Sequence, residues 1–241
     1  NAINLYTYTN AGTSGDWNDP GTWTTDPTGA TLIGNSVPGN NDVVTILNGF
    51  RVYLTSNVTA TGLSIVINNG ATLDLVTFTV PTISSLAGSG TLAIRAGYFP
   101  TITTNTFQTS YAAGATVLYY DFNGNVPSSV SYPNLSFLNS TGVDHEIALS
   151  NTSGGTINVL GNLMTSTTGS GDLAVVIGTQ AGNALTLKVT GNIAIGANTT
   201  FGVGLFSSIH TVNVEGNFTN NGTVQFSNSV QYTTSANGAA H

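Results

Sequence analysis

The stretch LKVTGNIAIG, residues 187–196, occurs in two further versions along the chain, INVLGNLMTS at 157–166 and VNVEGNFTNN at 212–221. In each version a Gly-Asn pair lies within a run in which apolar and mostly polar residues alternate. Alternation with period two places the apolar side chains on one face of a β-strand. The three pairs, which recur at similar intervals, are Gly161-Asn162, Gly191-Asn192 and Gly216-Asn217.

A repeat of roughly 20 to 30 residues with several short strands in each unit predicts a solenoid, because one unit cannot bury its apolar face alone and must stack on its neighbours. We therefore expect Val159, Val189 and Val214 to stack in one inward-facing column. The glycine would let the chain bend between two strands, and each asparagine would hydrogen-bond to the asparagine of the next coil, as in stacked amide ladders. The alternative interpretation is that Gly-Asn pairs are simply frequent in a chain rich in both residues.

The rest of the chain also predicts β-structure. Short runs rich in β-branched residues are separated by Gly, Asn, Ser or Pro, which is typical of an all-β protein. The phrase NNGATLDL at 68–75 is echoed, at the distance of one short coil, by AGSGTLAI at 87–94. The predicted fold is a single-stranded, right-handed parallel β-helix over residues 1–241, with an aromatic N-terminal cap in 1–42 and coils in 43–241. A pair of antiparallel β-sandwiches is the alternative.

The composition excludes several classes of protein. Charged residues make up 5% of the chain, against roughly 25% in an average soluble domain, and the net charge is −7. The basic residues are Arg51, Arg95 and Lys188 alone, whereas binding to nucleic acid requires clustered cations. Membrane insertion is not expected, because no apolar stretch of about 18 residues is present. The absence of cysteine excludes disulfides and thiolate metal sites.

Two segments resemble known families. The segment 14–46 contains paired tryptophans followed by VPGNNDVVTI, which resembles the N-terminal part of right-handed β-helix modules, including G8-like domains. The residues that carry this resemblance are Trp17, Trp23, Val37, Pro38, Gly39, Asp42, Val44 and Ile46. The segment 119–142, which leads into TINVLGNLM, is similar to repeats in large bacterial surface proteins exported by the type IX system.

These resemblances imply a structural or adhesive module of a secreted or cell-surface bacterial protein. Because residue 1 is Asn and not Met, either a signal peptide has been removed or the chain starts internally. The chain is expected to be part of a longer protein, because no C-terminal sorting domain is recognisable. Its expected partners are an extracellular glycan or protein surface and further modules of the same polypeptide. A carbohydrate-binding or polysaccharide-degrading β-helix protein is the alternative function.

The sequence gives little indication of catalysis. Hydrolysis of a glycosidic bond needs convergent carboxylates, but the ten acidic residues are mostly isolated from one another. Asp144-His145-Glu146 is the densest titratable cluster, and in a strand His145 would face away from its two neighbours. No catalytic residue and no cofactor are therefore predicted.

Three weaker binding hypotheses remain. Asp16, Asp19 and Asp42 could supply oxygen ligands to Ca²⁺, although capping of turns is the simpler role. Four aromatic residues near the N-terminus could stack on sugars, although covering the open end of the solenoid explains them better. They are Tyr6, Tyr8, Trp17 and Trp23. Ice binding would need regular Thr-x-Thr arrays, and the candidates at 7–9, 77–79 and 101–103 do not recur at a constant spacing.

Overall fold

The structure is a computed structural model that describes residues 2–128, 130–149, 155–178, 184–204 and 209–226. Within these residues the chain forms β-strands and three short 3-10 helices, and no α-helix, so the predicted all-β class is confirmed. Residue contacts divide the chain into two compact units. The first unit comprises Asn1–Arg95 and Pro100–Val117, and the second comprises Ala96–Phe99 and Leu118–His241. A single domain over residues 1–241 stays a prediction.

The first unit contains two sets of strands that alternate along the chain from β4 onwards. The first set, which we call sheet A, has the order β10-β8-β6-β4-β1-β3. Its strands are β1 (Asn4–Thr7), β3 (Trp23–Thr24), β4 (Val43–Ile46), β6 (Ser64–Ile67), β8 (Ile83–Gly88) and β10 (Ile102–Asn105). The second set is β2 (Ser14–Asp16), β5 (Arg51–Tyr53), β7 (Thr72–Asp74) and β9 (Thr91–Ile94). The 3-10 helices are Thr9–Ala11, Pro20–Thr22 and Tyr111–Ala113.

Strand pairing in the first unit is parallel except at one edge. The two-residue strand β3 runs antiparallel to β1, whereas the other pairs within each set are parallel. In sheet A, Val44 pairs with Ile65 and Ile65 with Leu86, and all three side chains are buried. In the second set Leu73 pairs with Leu92, so the two phrases that echo each other in the sequence occupy matching positions on neighbouring strands.

The second unit contains three sets of parallel strands, which the chain visits in a fixed cyclic order. Strand β11 (Thr116–Tyr120) leads into this unit from the first. The first set is β13 (Ser131–Tyr132), β16 (Thr156–Val159), β19 (Thr186–Val189) and β22 (Thr211–Val214). The second is β14 (Asn134–Asn139), β17 (Leu163–Thr167), β20 (Ile193–Ile195) and β23 (Phe218–Asn220). The third is β12 (Gly124–Asn125), β15 (His145–Ala148), β18 (Leu173–Val176), β21 (Thr199–Gly202) and β24 (Thr223–Gln225).

The predicted valine column is confirmed in the second unit. Val159 pairs with Val189, and Val189 pairs with Val214, so the intervals between the Gly-Asn pairs in the sequence are those of the strand register. Val159 and Val189 are buried, and Val214 is half-buried in β22. The parallel pairing throughout this unit excludes the alternative of antiparallel sandwiches there.

Candidate functional site

The Gly-Asn pairs form a continuous hydrogen-bonded ladder where the chain passes from one strand set to the next. The Oδ1 atom of each asparagine accepts a hydrogen bond from the backbone N–H of the asparagine one repeat later. The ladder begins at Asn134, which is preceded by proline, not glycine. Each of its three bonds is 2.8 Å long, and they join Asn134 to Asn162, Asn162 to Asn192 and Asn192 to Asn217.

This ladder differs from the expected one in the identity of the donor. The amide stacks expected from the sequence would join one side chain to another, whereas the observed bonds join a side chain to the backbone. A backbone donor has one fixed direction, so each bond sets the position of the following corner. Glycine is required at residue 191, because a Cβ atom there would lie 2.6 Å from the carbonyl oxygen of Gly161.

Sheet A of the first unit carries a regular outward surface. Its strands contain no Asp, Glu, Lys or Arg. The outward residues lie in two columns that follow the strand register, and all of them are exposed or half-buried. One column is Asn4, Val43, Ser64, Ser85 and Thr104, and the other is Tyr6, Thr45, Val66 and Ala87. We call these nine residues the neutral face.

The neutral face is held by the buried side of the same strands. Leu5, Ile46, Ile65 and Ile67 alternate with the outward residues and are at most 1% exposed. Neighbouring strands lie about 4.8 Å apart, so five strands give a surface about 19 Å long. Hydroxyl, amide and small apolar groups on such a surface can contact an uncharged partner without desolvating an ion.

The charged residues of the first unit's strands lie in its other set. The Nε atom of Arg51 donates to Oδ2 of Asp74 at 3.1 Å, and the Arg51 guanidinium lies 5.5 Å from the centre of the Tyr53 ring. Asp74 is buried, and its Oδ1 atom also accepts the backbone N–H of Val76 at 2.9 Å. This arrangement satisfies the carboxylate within the fold.

The four aromatic residues considered for sugar stacking, and expected instead to cover the end of the solenoid, differ in burial. Trp17 and Trp23 are 1% and 0% exposed, and their rings pack edge to face with centres 5.2 Å apart. The indole N–H of Trp23 donates to the carbonyl oxygen of Trp17 at 2.8 Å. Neither indole face is open to a sugar in this arrangement. Tyr6 and Tyr8 are half-buried, and Tyr6 belongs to the neutral face.

The three aspartates considered as Ca²⁺ ligands each accept backbone hydrogen bonds. Asp16 accepts the N–H of Asn18, and Asp19 accepts that of Gly21. The two carboxylate oxygens of Asp42 accept the N–H groups of Ile3 at 2.9 Å and Gly39 at 2.7 Å. Across the described residues, no group of three or more His, Cys, Asp or Glu side chains is placed to hold a metal ion.

The cluster at Asp144-His145-Glu146 does not converge on one point. Oδ1 of Asp144 accepts the backbone N–H of Asp172 at 2.9 Å, and Glu146 is exposed. The Nε2 atom of His145 lies 3.2 Å from the Thr141 hydroxyl, while its Nδ1 atom is buried without a hydrogen-bond partner. The three residues therefore take part in three separate local arrangements.

The Thr-x-Thr segments do not combine into one array. Thr7 is buried, and the segment 77–79 lies outside the strands. Of the third pair, Thr103 lies in β10 and Thr101 precedes that strand.

Comparison with protein-family models, with curated proteins and with solved structures finds no match to this chain. Among the residues that the structure describes, no helix is long and apolar enough to cross a membrane.

Sequence reasoning missed the neutral face and the first asparagine of the ladder. The neutral face could have been found from VVTI and SIVI, because the outward positions of these runs carry no charge. The first asparagine of the ladder does not belong to a Gly-Asn pair, because Pro133 precedes it, so the repeated motif does not mark it.

Proposed function

We propose that the chain is a right-handed parallel β-helix that acts as a non-catalytic structural and adhesive module of a secreted or surface-attached bacterial protein. The observation that carries this proposal is the neutral face, a register-aligned outward surface without an ionic side chain. A stacked scaffold with such a surface suits attachment to an uncharged partner, because contact removes few strongly hydrated groups from water.

Two observations support the β-helix. The strand sets of the second unit are visited in a constant cyclic order, and their registers are parallel throughout. Connections between parallel strands of one sheet are right-handed in about 98% of cases, which favours the right-handed form. A crystal structure in which successive coils wind to the left would contradict this part of the proposal.

The proposed location rests on the surface composition and on the sequence resemblance of 119–142 to exported surface proteins. Neutral polar groups cover the chain where a cytosolic protein usually carries Lys and Glu. Further modules of the same polypeptide would attach it to the cell.

The adhesive role can be tested by retention on immobilised polysaccharides. We expect the protein to be retained by neutral polysaccharides more strongly than by acidic ones, since the net charge of −7 repels the latter. Thr45→Glu introduces a charge into the neutral face and should abolish retention. Thr211→Glu places the same charge on an exposed position of β22 and is the matched control.

Two outcomes would contradict the proposal. Equal retention of wild-type protein and the Thr45→Glu variant would show that the neutral face is not the contact surface. Release of new reducing ends or unsaturated products from any polysaccharide would instead indicate the enzymatic alternative.

A further inference from the structure

The side chain of His210 hydrogen-bonds the start of strand β22 to the preceding repeat. The backbone N–H of Leu185 donates to the Nδ1 atom of His210 at 3.1 Å. In return, the backbone N–H of Thr211 donates to the carbonyl oxygen of Leu185 at 2.9 Å. Both backbone groups of Leu185, which is buried, are therefore bonded to consecutive residues one repeat later.

The ring of His210 also lies against Gly178. A Cβ atom at residue 178 would be 2.7 Å from Cε1 and 3.2 Å from Nε2 of the imidazole, so only glycine leaves room for the ring. Gly178 has a φ of +81°, which other residues rarely adopt. The imidazole is consequently fixed from two sides, by the Leu185 amide and by the backbone at Gly178.

This geometry requires neutral imidazole. An Nδ1 atom that accepts a hydrogen bond carries no proton, so the proton of the neutral ring is on Nε2. Imidazolium carries hydrogen on both nitrogens and cannot accept a bond from Leu185. Protonation would place two N–H groups against each other and leave a buried amide without an acceptor. Partial burial of the ring lowers the pKa of His210, in agreement with a neutral bound form.

Charged groups near this contact are few. Strand β19 carries Lys188, and Glu215 follows β22; their side chains pair with each other at 3.3 Å. Strand β18 carries no titratable side chain. The neighbouring sequence segments 179–183 and 205–208 read TQAGN and LFSS, and they contain no titratable residue either. Burial is the cause of the shift in the pKa of His210.

We propose that His210 is an acid-sensitive latch, which holds the first residues of β22 on the β19 repeat while its ring is neutral and releases them when the ring is protonated. Release would open the strand edge at Leu185 and Thr211 without disturbing the deeper valine column. The latch is independent of the adhesive role, because the neutral face belongs to the first unit.

Hydrogen exchange at the Leu185 amide tests the latch directly. Exchange should be measured from about pH 7.5 to about pH 5, across the usual range of histidine titration, and divided by the intrinsic rate at each pH. We expect the protection of Leu185 to fall several-fold with decreasing pH. The Thr190 amide, which donates to the carbonyl oxygen of Val159 at 2.9 Å, is the internal reference and should stay protected.

Three variants separate the latch from general loss of structure. His210→Asn offers an oxygen near the position of Nδ1 that does not titrate, so Leu185 should stay protected at both ends of the pH range. His210→Phe has no acceptor and should leave Leu185 weakly protected throughout. His145→Asn removes the other histidine of the described residues and should keep the wild-type pH dependence.

The proposal is overturned if wild-type protection at Leu185 does not change with pH. It is equally overturned if His210→Asn shows the wild-type loss, or if His145→Asn abolishes it, because the titrating group would then lie elsewhere.

Discussion

The Oδ1 atom of Asn162 accepts the backbone N–H of Asn192 at 2.8 Å and so joins two successive repeats. The same bond recurs one repeat earlier and one repeat later. Asparagine usually favours turns, and here its side chain also links successive repeats. Stability of the second unit should therefore depend on a few corner positions as well as on the apolar interior.

Removing this acceptor should destabilise the protein. Asn162→Ala leaves the Asn192 amide without its partner, and we expect a loss of about 1 kcal/mol in the free energy of unfolding. Asn162→Asp keeps an acceptor oxygen and should lose less. Denaturant unfolding measures both, with Asn213→Ala on the exposed side of β22 as the control. Equal losses at residues 162 and 213 would show that the ladder contributes nothing.

Gly191→Ala should destabilise the corner by about 1–3 kcal/mol, the usual range for overpacking. The added Cβ atom would lie 2.5 Å from Oδ1 of Asn162 and 2.6 Å from the carbonyl oxygen of Gly161. At Gly39, by contrast, the nearest atom would be Oδ2 of Asp42 at 3.5 Å. Gly39→Ala is therefore the matched control, and thermal unfolding of the two variants compares them. A loss at residue 39 that matches the loss at 191 would argue against crowding as the cause.

Val189→Asp and Thr190→Asp should differ strongly. Val189 is 0% exposed in the inward column, so a carboxylate there is buried without a partner, and we expect a loss of at least about 3 kcal/mol. Thr190 is exposed, and its replacement should stay within about 0.5 kcal/mol of the wild type. Unfolding midpoints in urea decide between them. A milder effect at residue 189 than at 190 is incompatible with the register.

Alkaline pH should act on a buried tyrosine pair in the second unit. The hydroxyls of Tyr119 and Tyr132 lie 3.4 Å apart and donate to the carbonyl oxygens of Tyr98 and Pro127, respectively. Burial raises the pKa of both tyrosines well above the usual value near 10. The folded state thus retains protons that the unfolded state releases, and this contribution to stability is lost as the pH rises above about 10.

Ultraviolet absorbance during an alkaline titration measures this effect. Of the nine tyrosines, we expect Tyr119 and Tyr132 to ionise only as the protein unfolds. Tyr132→Phe removes one hydroxyl and should leave a single late-ionising group. Smooth ionisation of all tyrosines in the folded protein would refute the pairing.

The sequence predicted the parts of the fold that repeat. Alternation around Val159, Val189 and Val214 indicated the inward face and the register, because period two and a recurring motif are visible without coordinates. The pairing of Leu73 with Leu92 was predictable in the same way, because the segments 68–75 and 87–94 share one sequence pattern.

Features that occur once were not predictable in the same way. The antiparallel pairing of β3 with β1 brings Trp23 opposite Thr7, and no periodic signal marks it. The contact between His210 and Leu185 depends on a rotamer and on the space above Gly178, which only packing determines. The aromatic residues of 14–23 indicated a cover, but burial of both indoles required the surrounding chain.

The hydrogen bonds of the asparagine ladder all run in one direction along the sequence. In each of its three bonds the accepting side chain comes earlier in the sequence than the donating amide. During synthesis the N-terminal end of the chain emerges first, so Asn134 appears before Asn162, and Asn162 before Asn192. Every new repeat meets an acceptor that has already left the ribosome, so the second unit can assemble in the order in which it is synthesised.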